Sequence, residues 1–197
     1  MQTESSFSSK TLLIIIALAV VVSLVGVYAG TTFLGWRQKQ ANAEKLEGLD
    51  KGEGSKLRAG EMIPEIEMLA LDGSPTSTVE LTADRDALLF FVAINCEPCT
   101  EAVTSWFPLA DQIPPNIVTY AICQNDVEYA KVYAEKTEML FPVFCDTAHV
   151  FDSRYDVNIY PTVIGVRKGG TIAFIKHGFD TSFDPMTAST MLMAGAE

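Results

Sequence analysis

Histidine, basic charge and paired metal ligands are all scarce in this chain. Its 197 residues hold two histidines, His149 and His177, and four cysteines, of which Cys123 and Cys145 stand alone. A structural zinc site needs two close ligand pairs, and only one close pair exists here. No metal and no cofactor are expected. After residue 58 there are seven Lys/Arg against twenty Asp/Glu, a net −13 within a chain total of −11. A surface of that sign repels phosphate backbones and argues against nucleic acid as a partner. It would steer a basic protein inward, or simply keep a surface domain soluble. The chain shows no phosphate-cradling loop, no Ser/His/Asp array, no glycosidase carboxylate pair, no internal repeat and no extended low-complexity tract.

Charge is absent altogether from residues 11–36, which are flanked by Lys10 and Arg37. An apolar stretch of that length exceeds the roughly 20 residues that a spanning helix needs. Trp36 suits the headgroup level at its end. A cleavable signal peptide has a shorter apolar core, about 7–15 residues. Ala41-Asn42-Ala43, which has the form of a cleavage box, lies well beyond the apolar end. The expected organisation is a short tail over 1–10, a signal anchor over 11–36, a polar, glycine-punctuated tether over 37–58 and one domain over 59–197. Two topology signals conflict. Lys10 alone precedes the span, while Arg37, Lys39, Lys45 and Lys51 follow it, so the positive-inside rule places the domain in the cytoplasm. Lys10 directly before the run is also what a signal anchor offers the export machinery.

Turn signals cut the domain into short elements. Ile66–Leu71 and Thr78–Leu81 flank Asp72-Gly73 and predict a hairpin with a longer loop. Ala87–Ile94 is continuously apolar, as a strand covered on both faces should be. A helix is predicted from Glu97 to Gln112, ahead of Pro114-Pro115. Ile117–Ile122 predicts a strand, Val127–Thr137 a helix, Phe141–Cys145 a strand and Ala148–Tyr155 a short helix. Thr162–Arg167 and Thr171–Lys176 form a hairpin through Lys168-Gly169-Gly170, and Ser182–Met193 closes the chain as a helix. Alternating strands and helices predict an α/β fold with helices on both faces of the sheet.

The run Cys96-Glu97-Pro98-Cys99 stands at the step from a buried strand into a helix. Unpaired backbone N–H groups and the macrodipole at a helix N-terminus favour a thiolate there. A two-residue gap lets both sulfurs close a small ring, and Pro98 fits the first helical turn. A redox-active disulfide is therefore expected, with Cys96 as the attacking thiolate and Cys99 as the resolving thiol. An inert structural disulfide, a zinc knuckle and a peroxidatic cysteine are the competing readings. The last wants a Pro/Thr frame ahead of its cysteine, and Leu89–Asn95 supplies neither residue. Cys123 and Cys145 each follow an apolar strand run. They read either as two buried thiols, since free Cys packs as a small apolar residue, or as a second disulfide at one sheet edge.

Over residues 59–190 the chain resembles the membrane-anchored thioredoxin-like proteins of the TlpA/ResA family. The likeness rests on Gly60-Glu61-Met62-Ile63-Pro64, Leu71-Asp72-Gly73, Cys96-Glu97-Pro98-Cys99, Phe141-Pro142-Val143 with Asp146, and Tyr155-Asp156-Val157 leading to Tyr160-Pro161-Thr162. It implies a thioredoxin-like fold: a central mixed sheet flanked by helices, with an N-terminal β-hairpin and a central insertion. It also implies that Tyr160-Pro161 is a cis peptide beside Cys96, binding the partner's chain, with Thr162 opening the next strand. From the residues alone, Pro161 is an ordinary strand-start proline. The implied partners are a disulfide-bearing client protein, an upstream membrane thiol-reductant donor and, through the single span, the membrane. The implied location is the cytoplasmic (inner) membrane with the redox domain on the extracytoplasmic, periplasmic side. The implied activity is that of a disulfide reductase in protein maturation of the cytochrome c type. A methylamine-dehydrogenase-type accessory factor and a non-catalytic binding module on the same fold are the alternatives. Copper-delivery relatives use a three-residue gap, which this chain lacks.

The departures from the family carry information. Thioredoxins have a buried Asp where Phe90 stands, and many cytochrome-maturation relatives have Trp, Glu and Pro at the positions of Asn95, Ala102 and Thr104. The usual proton acceptor for Cys99 is thus missing. Glu97 and Glu101 are the candidate modulators of the pair's proton chemistry. Glu101 is one helical position, about 100°, from the missing acid. The charge on Glu97 opposes a thiolate on Cys96, which makes the disulfide harder to reduce and favours a reductant.

Overall fold

The computed structural model describes residues 54–194 and, upstream, Ile15. The tail, the rest of the anchor and the tether to residue 53 lie outside the described residues. Among the described residues no helix is long and apolar enough to cross a membrane. Ser55 and Leu57, read from the sequence as the end of the tether, are buried on the domain, and the Lys56 amide donates to the Tyr155 carbonyl at 2.8 Å.

Strand β1 (Glu67–Ala70) turns at Asp72-Gly73 into β2 (Pro75–Ser77). Here the expectation needs correcting: Thr78–Leu81 is not the second strand. Residues Thr78–Thr82 form a short helix, α1, because Ser77 and Glu80 make a capping box that satisfies the first free amides. Strand β3 (Asp86–Val92) is buried from Ala87 onward and runs into α2 (Glu97–Trp106). The predicted helix to Gln112 breaks there. Pro108 cannot donate to the helical ladder, and Phe107–Gln112 tightens into a 3₁₀ helix. Then follow β4 (Ile117–Cys123), α3 (Val127–Lys136, capped by Asp126), β5 (Val143–Cys145) and α4 (Val150–Tyr155). The hairpin β6 (Thr162–Val166) and β7 (Ile172–His177) precedes α5 (Pro185–Met193), which starts three residues later than expected because Asp184 is its cap.

Among the described residues seven strands make one mixed sheet in the order β2-β1-β5-β4-β3-β6-β7. Strands β3, β4 and β5 are mutually parallel, and β6 runs antiparallel to β3. The α3–β5 segment widens the sheet between β4 and α4, where the central insertion is expected. Two apolar clusters cover the two faces. One packs Phe90, Val92 and Ala121 under Cys99, Val103 and Trp106 of α2. The other packs Leu89 and Phe91 against Leu57 and Phe151, the last from α4. Phe90 meets Trp106 edge-on at 4.9 Å, and Phe91 meets Phe151 at 4.6 Å. The first contact holds the C-terminal end of α2 on one face of β3, and the second holds α4 on the other.

Candidate active site

After β3 the chain turns sharply so that α2 can start beneath it. Asn95 adopts φ 63°, a left-handed conformation that Asn tolerates better than most residues. Cys96 follows as the N-cap of α2. Its carbonyl accepts from the Cys99 and Thr100 amides, both at 3.1 Å, and its Sγ accepts from the Cys99 amide at 3.2 Å. The two cysteines are joined by a disulfide with Cα atoms 5.2 Å apart. Cys96 is half-buried, whereas Cys99 is 0% exposed. One sulfur can therefore be approached by another molecule and the other cannot.

The positions where relatives carry acids are apolar in fact as well as in sequence. Phe90 is 1% exposed, and Ala102 is buried against the same cluster as Cys99. Glu97 and Glu101 are both exposed. Glu101 lies off the buried face formed by Cys99, Ala102, Val103 and Trp106, so it does not take up the place of the missing acid.

Cys123 and Cys145 are direct register partners on β4 and β5, in one row with Val92 of β3. This row ends the parallel strands just below the disulfide. The second disulfide considered from the sequence is not formed: both thiols are free and buried. On adjacent parallel strands the two Cβ vectors of register partners run side by side, whereas a bridge needs a specific dihedral geometry between them. Burial, then the neighbouring Cys145, pushes the Cys123 thiol up to about 12. Burial, then Asp126, pushes Cys145 up to about 11. Both stay protonated and unreactive at neutral pH.

Thr162 pairs with Phe91, so the preceding Tyr160–Pro161 peptide, which is cis, arrives at the sheet end where β3 releases the cysteine turn. The Tyr160 hydroxyl donates to the Val157 carbonyl at 3.1 Å, and burial, with Asp152 and Asp146 nearby, raises its phenol above the ordinary range. Thr162 Oγ donates its only proton to the Ile159 carbonyl at 2.7 Å and so accepts from His177 Nδ1 at 2.8 Å. His177 thereby braces the bend from the next strand, a role no local sequence pattern announces. Asp146, fully buried, anchors α4 by accepting from the Val150 and Phe151 amides at 3.0 and 2.8 Å. Among the described residues no cluster of three or more ligating side chains could hold a metal ion.

The profile of the AhpC/TSA family matches residues 59–175, well over half of the chain. The chain belongs to the AhpC/TSA family. No curated protein matches it by sequence. Among solved structures, this AhpC/TSA chain is similar to a putative thiol:disulfide interchange protein DsbE of Chlorobium tepidum, with 17% identity and a TM-score of 0.61 over 70% of this chain and 97% of that one. It is also similar to a secreted disulfide oxidoreductase of Mycobacterium tuberculosis homologous to E. coli DsbE, with 21% identity, a TM-score of 0.53, and 66% and 95% covered. A third likeness is to the peroxidoxin BcpB of the same organism, with 16% identity, a TM-score of 0.58, and 72% and 99% covered. At these identities the structures establish the fold, which is thioredoxin-like.

Proposed function

We propose that this AhpC/TSA protein is a membrane-tethered thiol–disulfide oxidoreductase of the TlpA/ResA kind, working as a reductase on extracytoplasmic client proteins in maturation of the cytochrome c type. The observation that carries the reading is the asymmetry of the pair: a half-buried Cys96 sulfur at a helix N-terminus, bonded to a Cys99 with no exposure. In the reduced protein, the Cys96 thiolate attacks one sulfur of the client disulfide. The other client sulfur leaves as a thiolate and takes a proton from water. Cys99, on losing its proton, attacks the Cys96 sulfur of the mixed disulfide and releases the second client thiol. The protein ends oxidised by two electrons and the client reduced by two. A membrane thiol donor restores the dithiol.

The reducing direction is supported by charge. Glu97 sits beside Cys96 and its negative charge opposes a thiolate there, so the thiolate form gains less than in an oxidant. A peroxidase reading is disfavoured because Leu89–Asn95 lacks the Thr and Pro that frame a peroxidatic cysteine. The apolar residues 11–36 support the anchor.

Two experiments test this. A Cys99→Ser variant should accumulate client proteins covalently through Cys96, and Cys96→Ser should accumulate none; equal trapping by both overturns the roles. Alkaline phosphatase fused after Glu197 should be active if the domain is exported, and an inactive fusion argues for the cytoplasmic side.

A further inference from the structure

A cleft of about 480 Å³ opens beside the exposed sulfur, between the start of α2 and the flank of α3. Ile94, Cys96, Thr100, Val132, Tyr133 and Lys136 line it, with Glu97 at the cysteine end. Cys96 is itself part of the lining, so a chain whose disulfide meets Cys96 can extend into this cleft. Two features of α3 give it a chemical character. Val132 is 63% exposed, and Tyr129, also exposed and three residues earlier on the same helix, makes with it a short apolar pair on one helix face. Lys136, one turn beyond Val132, is exposed and forms no ion pair among the described residues. It is the only Lys or Arg lining the cleft, in a region with seven bases after residue 58.

We infer that this cleft is the subsite that selects the client sequence around its reactive cysteine, taking an apolar residue against Val132 and Ile94 and a carboxylate opposite Lys136. This rests on the disulfide-exchange reading above. The spacing follows from geometry. Val132 and Lys136 are four residues apart, about 6 Å along the helix, which is about two residues of an extended strand. Residues two apart in an extended segment point to one face. The preferred segment is therefore extended, with its apolar residue near the cysteine and its acid two residues further. Glu97 enforces the same order by repelling an acid placed directly at the cysteine.

The test uses the full-length protein in detergent, pre-reduced, and synthetic peptides whose single cysteine is a mixed disulfide with 2-nitro-5-thiobenzoate. Cys96 attacks the peptide sulfur, and the coloured aryl thiolate leaves with the electron pair, so its release reports the rate. The peptides carry Leu or Ser beside the cysteine and Glu or Lys two residues beyond, built on either side of it. Glu should beat Lys by about five-fold at low salt, and the gap should close in 1 M salt. Lys136→Glu should reverse the Glu/Lys order, and Val132→Ser should erase the advantage of Leu over Ser. If all peptides react alike, or if Lys136→Glu keeps the original order, the subsite is overturned and exchange at Cys96 stands. If no peptide reacts faster with the protein than with its Cys96→Ser variant, the exchange reading itself falls, and the subsite with it.

Discussion

Two pairs of cysteines border one apolar cluster in this protein. Cys96 and Cys99 open a helix; Cys123 and Cys145 end two parallel strands directly below. The first pair is three residues apart and bridged, while the second is in perfect register and unbridged. Proximity is therefore not what separates them. A helix N-terminus brings the two sulfurs together within one turn, leaves Cys96 approachable and supplies amide donors, one of which reaches Cys96 Sγ. A parallel ladder points both sulfurs the same way into packed apolar surroundings, where charge is unwelcome.

The sharpest way to break this contrast is chemical labelling. With the Cys123 thiol near 12, only about one part in 10⁴ is thiolate at pH 8. After mild reduction, iodoacetamide should label Cys96 by about thousands-fold over Cys123 and about hundreds-fold over Cys145, whose thiol stands near 11, and denaturation should equalise them. Rapid native labelling of Cys123, read by peptide mass mapping, would erase the distinction.

A smaller effect tests what holds α2 in place. Phe90 lies on the cluster face of β3, two residues before the cysteine row, and meets Trp106 edge-on. Phe90→Ala should cost about 3–5 kcal/mol in denaturant unfolding, and the loss should loosen the Cys96 site before it disturbs the cysteine row.

Burial of the lower pair also predicts a pH dependence. Unfolded thiols begin to ionise near 9, but Cys123 holds its proton to about 12. Its contribution is therefore complete below pH 9 and is lost as pH rises toward 12, since the unfolded state then binds fewer protons. The slope reaches about 1.4 kcal/mol per pH unit. Cys123→Ala should remove this share of the slope in unfolding curves taken from pH 8 to 11 and leave the share of Cys145.

The smallest change lies in the turn above the first pair. Asn95→Ala should cost about 1–2 kcal/mol because φ is positive there, and Asn95→Gly should be near neutral. Equal stability of the two variants, measured by thermal unfolding, would show that the turn adapts.

Much of this contrast is legible in the residues. The run Ala87–Val92 reads as a buried central strand because it is apolar at every position, and the C-x-x-C motif after it reads as a helix start. Asp72-Gly73 marks the first hairpin, yet its second strand is shifted to Pro75–Ser77, since Ser77 and Glu80 cap a helix that the alternation of Thr78–Leu81 concealed. Capping is a two-residue signal and outweighed a weak strand pattern. The brace from His177 to Thr162 and the cleft wall of Val132 and Lys136 were not legible, because their partners lie 15 to about 40 residues away in the chain.

The sequence by itself determined most of the elements, the acidic charge and the redox motif, because helix, strand and turn preferences and the short C-x-x-C loop are local properties. Only the tertiary structure decided which thiols meet, which sulfur is exposed, and which side chains stand next to it. Those depend on strand register and on how α2 and α3 pack across the sheet, and register is set by the whole core at once. A different strand order would leave Cys96 and Cys99 paired and would part Cys123 from Cys145.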